Sequence, residues 1–174
     1  MELNLSAVKA FVFDVDGVLT DGGIYSIVGD LLRKYDAKDC FGLRMASMHG
    51  YHLGIISGGV SPAIPQRFLR CGFKEEDIYL GSRKKMEQLD DFCARHGITY
   101  ADIMYFGDDV PDIPPLVASG IGVCPADAME EVKAVADYVS PDKGGQLLVR
   151  HMVEKVMRAQ GKWELDVELY KQRF

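Results

Sequence analysis

The sequence predicts an α/β fold: a Rossmann-like parallel sheet with helices on both faces, carrying one small β-hairpin. Three observations point there. Short apolar runs rich in β-branched and aromatic residues alternate with longer amphipathic stretches, the connections are short, and acids or hydroxyls gather where the runs stop. Continuous apolar runs mark strands buried on both faces, as in parallel sheets, and repeated β-α units close into a sheet covered by helices. The 174 residues fit a single domain over 1–174, large enough to bury a core without disulfides or a structural metal.

The first strand is expected over residues 10–15, Ala-Phe-Val-Phe-Asp-Val, and it ends among Asp14 and Asp16. A hairpin follows over about residues 21–36, as two extended runs around Gly29-Asp30. Further strands are expected at 52–57, 78–80, 103–107, 121–124 and 138–139. Helical patterns fall at 41–49, 62–71, 84–96, 114–119, 128–135 and 146–160. Within 84–96, Met86, Leu89 and Cys93 share one face and charges take the other. Gly161 ends the last helix. A C-terminal tail, about 161–174, then carries Trp163, Leu165, Val167, Leu169, Tyr170 and Phe174, apolar residues beyond the expected core.

Composition narrows the function. Lysine plus arginine number 20 against 26 acids, a formal charge of −6 with no basic run, so a nucleic-acid partner is not expected. A small anionic substrate remains compatible, because a pocket can be positive on an acidic protein. Cys40, Cys71, Cys93 and Cys124 are scattered singly in apolar surroundings and read as small buried hydrophobes in a reducing compartment. No apolar run reaches membrane-spanning length and no leader pattern opens the chain, so no membrane partner and a cytoplasmic location are expected. The four histidines lack metal-ligand spacing, and no serine-hydrolase elbow is present.

Chemistry concentrates at the carboxyl ends of the expected strands, where open α/β sheets bind ligands. Asp14 and Asp16 repel each other unless a cation or proton intervenes, which suggests a magnesium site; an acidic surface loop is the plainer reading. Ser57-Gly58-Gly59 offers a hydroxyl and outward amides ahead of a helix, suited to a phosphate, though it also makes an ordinary turn. Arg83, Lys84 and Lys85 open a helix, where cations oppose the dipole unless an anion lies near. Gly107-Asp108-Asp109-x-x-Asp112 adds acids at the same end of the sheet; Asp112 is equally suited to capping the next helix.

In this order, Asp14-x-Asp16-Gly17-x-x-Thr20-Asp21, Ser57 after a strand, a lysine before a helix and Gly107-Asp108-Asp109-x-x-Asp112 resemble the four motifs of the haloacid dehalogenase-like superfamily. The short span from Asp16 to Ser57 leaves no room for a cap domain. With the early hairpin, Lys38–Arg44 and Gly144-Gly145, it resembles the capless subgroup acting on 3-deoxy-D-manno-octulosonate 8-phosphate in lipopolysaccharide synthesis. The resemblance implies a magnesium-dependent sugar-phosphate phosphatase. It makes Asp14 the nucleophile that becomes an aspartyl-phosphate and Asp16 the general acid, later the base. Magnesium falls to the Asp14 carboxylate, the Asp16 backbone carbonyl and Asp108, with Asp109 supporting the metal through water. Ser57, the Gly58 amide and Lys85 bind the phosphoryl oxygens; Lys85 is preferred to Lys84 because Met86 follows it.

For the sugar, arginine suits carboxylate recognition, and the candidates are Lys38, Asp39, Arg44 and Arg67, Arg67 being equally at home on a solvated helix face. Two departures bear on specificity. Gly59 stands where the family carries arginine, or glutamate in phosphatases of nine-carbon sialic-acid-like sugars, and the segment after Gly145 is less glycine-rich than usual. A nine-carbon sugar 9-phosphate is the alternative substrate. A receiver-like phospho-accepting domain is disfavoured, because its acidic pair would sit on the first strand. Hairpin and tail together lead to the expectation of a homotetramer.

Overall fold

The computed structural model describes residues 3–164 and Glu168. Six strands make one sheet: β1 (Ala10–Phe13), β4 (His52–Ile56), β5 (Ile78–Tyr79), β6 (Ile103–Phe106), β7 (Ile121–Cys124) and β8 (Tyr138–Val139). Their spatial order is β5-β4-β1-β6-β7-β8, with every neighbouring pair parallel. The chain winds outward from β1 to β4 and β5, then returns to the other side of β1 with β6. That reversal opens a crevice between the carboxyl ends of β1 and β6, the usual ligand position in such sheets.

Helices cover both faces. On one, α1 (Ala37–Met48) and α6 (Leu148–Ala159) pack together over Phe11 and Phe13. On the other, α3 (Lys85–His96), α4 (Ile113–Ala118) and α5 (Glu130–Lys133) cover Ala10 and Val12. The alternation along β1 follows from the two-residue side-chain period of a strand. In α6, Leu148, Val149, Met152, Val153, Val156 and Met157 form one buried stripe. Each such side chain stabilises the fold by roughly 1.5–3 kcal/mol through removal from water. All four cysteines are buried and free. Among the described residues no helix is long and apolar enough to cross a membrane.

Several boundaries differ from expectation. The helix expected from residue 41 begins at Ala37, because the Asp36 carboxylate accepts the Lys38 and Asp39 amides at 2.7 and 3.4 Å and caps it. The 62–71 pattern divides into α2 (Ala63–Phe68) and a 3₁₀ turn, Leu69–Cys71. The last helix starts at Leu148, after Leu147 in the left-handed conformation (φ 74°). The hairpin comprises β2 (Tyr25–Ile27) and β3 (Asp30–Leu32). Its turn is Val28-Gly29, one residue earlier than expected, because Gly29 (φ 89°) supplies the left-handed position. Of the apolar tail, Trp163 packs under the Arg150 guanidinium, 4.7 Å from its ring centre. Leu165, Val167, Leu169, Tyr170 and Phe174 lie outside the described residues.

Asp39 ties the first and last helices together. Its Oδ1 accepts the Arg150 amide at 2.7 Å, while Oδ2 is buried with no partner among the described residues. Burial pushes its pKa up to about 6, against the opposing Arg150 amide bond. A folded value above the unfolded one stabilises fully below about pH 4 and loses that contribution as pH rises through 6. Asp39→Asn is therefore expected to stabilise the chain at pH 8 by on the order of 1–3 kcal/mol. Urea unfolding should show that gain vanish at pH 4; a gain independent of pH would refute this account.

Candidate active site

Parallel pairing places the candidate residues side by side. Phe13 is in register with Ile55 on one side and Phe106 on the other. The residues just beyond, Asp14, Ser57 and Asp108, therefore emerge together at the carboxyl edge. The Asp14 amide continues the ladder to the Phe106 carbonyl at 3.0 Å. After β1 the chain turns back at Gly17 (φ 87°), where a Cβ would lie 2.0 Å from Asp108 Oδ2. No other residue fits there without displacing that carboxylate. The turn is buttressed by Gly144, where a Cβ would stand 1.8 Å from the Gly17 carbonyl oxygen.

Lys85, the first residue of α3, reaches inward. Its Nζ lies 2.7 Å from Asp112 Oδ1 and 3.2 Å from Asp14 Oδ2. Burial works against the ammonium, but Asp14 and Asp112 more than offset it and hold its pKa above the ordinary lysine value. Asp112 is fully engaged: Oδ1 also accepts the Tyr105 hydroxyl at 2.8 Å, and Oδ2 accepts the Asp108 and Asp109 amides at 3.3 and 3.5 Å. It thus braces the 3₁₀ turn Val110–Asp112 and aims Lys85 in one stroke. Lys84 instead points outward to Glu87.

Carboxylates of Asp14, Asp108 and Asp112 each present an oxygen within 4.8 Å of the others. Asp14 Oδ1 and Asp108 Oδ1 are buried without a partner among the described residues. Burial, then Asp112, raise the Asp14 pKa to about 6 despite Lys85. Burial, then Asp14 and Asp112, raise Asp108 to about 8. Bare buried oxygens on repelling acids are the donor set a hard divalent cation takes. A 710 Å³ cavity opens onto them, lined among others by Asp14, Asp16, Gly58, Lys85 and Asp108.

Comparison with known proteins decides the family. A model for haloacid dehalogenase-like hydrolases matches residues 38–144. The 3-deoxy-D-manno-octulosonate 8-phosphate phosphatase of Haemophilus influenzae is 32% identical over 163 residues, 93% of this chain and 89% of that protein. The chain belongs to the haloacid dehalogenase-like hydrolase family. It is a phosphoric monoester hydrolase. Its Escherichia coli K12 relative of the same name is 31% identical, covering 89% of this chain and 82% of the relative. The Moraxella catarrhalis phosphatase, solved with magnesium, phosphate and KDO, superposes with TM-score 0.88 at 29% identity, over 95% of both chains. A cobalt-bound Haemophilus influenzae structure gives 0.89 at 30% identity, over 98% of this chain and 97% of that one.

In this hydrolase the remaining expected residues are dispersed. Ser57 is buried beside the cavity, with its Oγ accepting the Gly59 amide at 3.2 Å. Lys38, Asp39, Arg44 and Arg67 do not line the cavity. Lys38 is exposed on the first turn of α1, and Asp39 is turned into the α1–α6 contact. Arg44 and Arg67 sit on α1 and α2, and both act electrostatically on buried Cys71. Asp109 caps the turn after β6 by accepting the Val110 amide at 2.7 Å. The sequence reading missed Arg33. At the hairpin base its Nε and Nη2 meet Asp16 Oδ1 and Oδ2 at 2.6 and 3.0 Å. The only local signal is a cation on the return strand of a hairpin that starts beside an acid.

Proposed function

We propose that this hydrolase cleaves 3-deoxy-D-manno-octulosonate 8-phosphate to the free sugar acid and phosphate through an aspartyl-phosphate on Asp14. The observation that carries the reading is the Asp14 carboxylate, 3.2 Å from Lys85 Nζ, facing a cavity beside a second bare carboxylate, Asp108. The names of its relatives support the substrate. Asp14 would attack phosphorus while Lys85, the Ser57 hydroxyl and the Gly58 amide hold the phosphoryl oxygens. Asp16 would protonate the departing sugar oxygen and then take a proton from the water that hydrolyses the ester.

Magnesium fits the donor set: Asp14 and Asp108 supply unpartnered carboxylate oxygens, and the Asp16 backbone carbonyl would complete the protein's share. When bound, it neutralises charge on the transferring phosphoryl group. Asp112, although near enough to join, is committed to Lys85 and Tyr105. A nine-carbon sugar 9-phosphate is the second reading, because Gly59 carries neither of the side chains that separate the two substrate classes. Phosphate release from both sugar acids, with magnesium and with chelator, tests the assignment. Preference for the octulosonate, lost on chelation, is expected; preference for the longer acid would move the substrate.

The exposed apolar hairpin supports a homotetramer. Ile24, Tyr25, Ile27, Val28 and Leu32 are all exposed on it, Val28 completely, an apolar surface unlike the charged face of a solvated hairpin. Light scattering at micromolar concentration is expected to give four chains, and Val28→Asp to shift the mass downward. A monomer before substitution would end the idea.

A further inference from the structure

Two of the four buried cysteines are neighbours. Cys40 lies in the first turn of α1, and Cys71 ends the 3₁₀ turn that follows α2. These two segments pack closely. The Ser47 hydroxyl, on the last turn of α1, donates to the Gly72 carbonyl at 3.1 Å. A Cβ on Gly72 would stand 2.5 Å from that of Ser47. Along the same contact the Cys40 and Cys71 thiols interact directly, within one buried apolar cluster. The Cys71 thiol also donates to the Arg67 carbonyl at 3.6 Å, which fixes its direction. A disulfide forms only where the backbone already holds two sulfurs together, and the packing of α1 on this turn does so.

The pair is chemically unequal. Contact with Cys71 first, and then the Arg67 guanidinium, hold the Cys40 thiol below the ordinary cysteine value against the effect of burial. Contact with Cys40, and then burial, hold Cys71 above it. Cys93 and Cys124 belong to the core on the other face of the sheet, and burial pushes each up to about 11. The thiolate is the nucleophile, so Cys40 is the thiol that attacks and Cys71 the one that follows. Cys40 is 7% exposed and Cys71 4%. Such narrow access admits a small uncharged oxidant and excludes a bulky charged one such as oxidised glutathione.

We infer that Cys40 and Cys71 are an oxidation site, at which hydrogen peroxide converts the two thiols into a disulfide. In the first step the Cys40 sulfur bonds to a peroxide oxygen and the oxygen–oxygen bond breaks. The departing hydroxide takes up the proton that the thiol gave and leaves as water. In the second, the Cys71 sulfur bonds to that of the Cys40 sulfenic acid and the sulfur–oxygen bond breaks. The Cys71 proton leaves with the hydroxide as a second water. The two thiols supply the two electrons that reduce the peroxide. Neither thiol lines the cavity. The bond would instead tie α1 to the turn after α2, closing the stretch that carries Ser57 and Gly58.

The test treats the reduced full chain with hydrogen peroxide and maps its peptides without reduction. A mass lower by two hydrogen atoms, a linked Cys40–Cys71 peptide and unmodified Cys93 and Cys124 are expected. The melting midpoint should rise by roughly 5–10 °C, because the bond restricts the unfolded chain, and dithiothreitol should reverse the change. Cys71→Ala should stop the reaction at a Cys40 sulfenic acid, which dimedone labels, and Cys40→Ala should leave Cys71 unoxidised. If either variant is unfolded, the peptide map of the unsubstituted chain decides. Intact Cys40 and Cys71 thiols after peroxide, oxidation of Cys93 or Cys124 at an equal rate, or a bond that lowers the midpoint would each overturn the inference. Linkage by oxidised glutathione as fast as by peroxide would overturn the choice of oxidant.

Discussion

Asp14→Asn is expected to leave the chain folded and to lower phosphate release by about 10⁴-fold or more, the scale seen when a nucleophile is removed. The substitution changes one atom and keeps the volume. It also relieves the fold, because burial and Asp112 already penalise the Asp14 charge and hold its pKa near 6. Lys85 keeps Asp112 at 2.7 Å, so its ammonium is not stranded. Thermal melting should thus show an unchanged or higher midpoint beside the lost activity. Normal turnover in the folded variant would remove Asp14 from the nucleophile's role, and a collapsed melting point would show that its charge is structural.

The sheet is legible in the sequence because each strand is a self-contained apolar run whose burial on both faces needs no knowledge of its neighbours. Phe11-Val12-Phe13 and Met104-Tyr105-Phe106 are such runs, and the acids that end them fall into the crevice by chain direction alone. Helix α1 is harder. Lys38 and Asp39 look like polar loop until Asp36 is seen to cap them. Where a helical side chain points is set by the partner helix: Asp39 turns to Arg150 across 111 residues, which no local pattern reports. Arg33 is hidden for the same reason. Its pairing with Asp16 spans 17 residues, runs through a hairpin turn and passes close to the bare backbone at Gly59.

Metal binding and pH should prove coupled through the same acids. Without a cation, Asp108 has its pKa raised to about 8, by burial first and then by Asp14 and Asp112. Asp14 is raised to about 6. Both folded values exceed the unfolded carboxylate value near 3.8. The stability these groups contribute is therefore complete below about pH 4 and is lost as pH climbs through 6 and then 8. At pH 8.5 the metal-free chain carries repelling charges costing a few kcal/mol, a scale set by about 1.4 kcal/mol per pKa unit. A divalent cation needs those same charges and displaces the protons that occupy the site at lower pH. Magnesium is accordingly expected to raise the melting temperature more at pH 8.5 than at pH 6, and to release protons on binding at pH 6–7. Asp108→Asn should flatten that difference. Equal magnesium shifts at both pH values, with no proton release, would mean that the cation does not bind at Asp14 and Asp108.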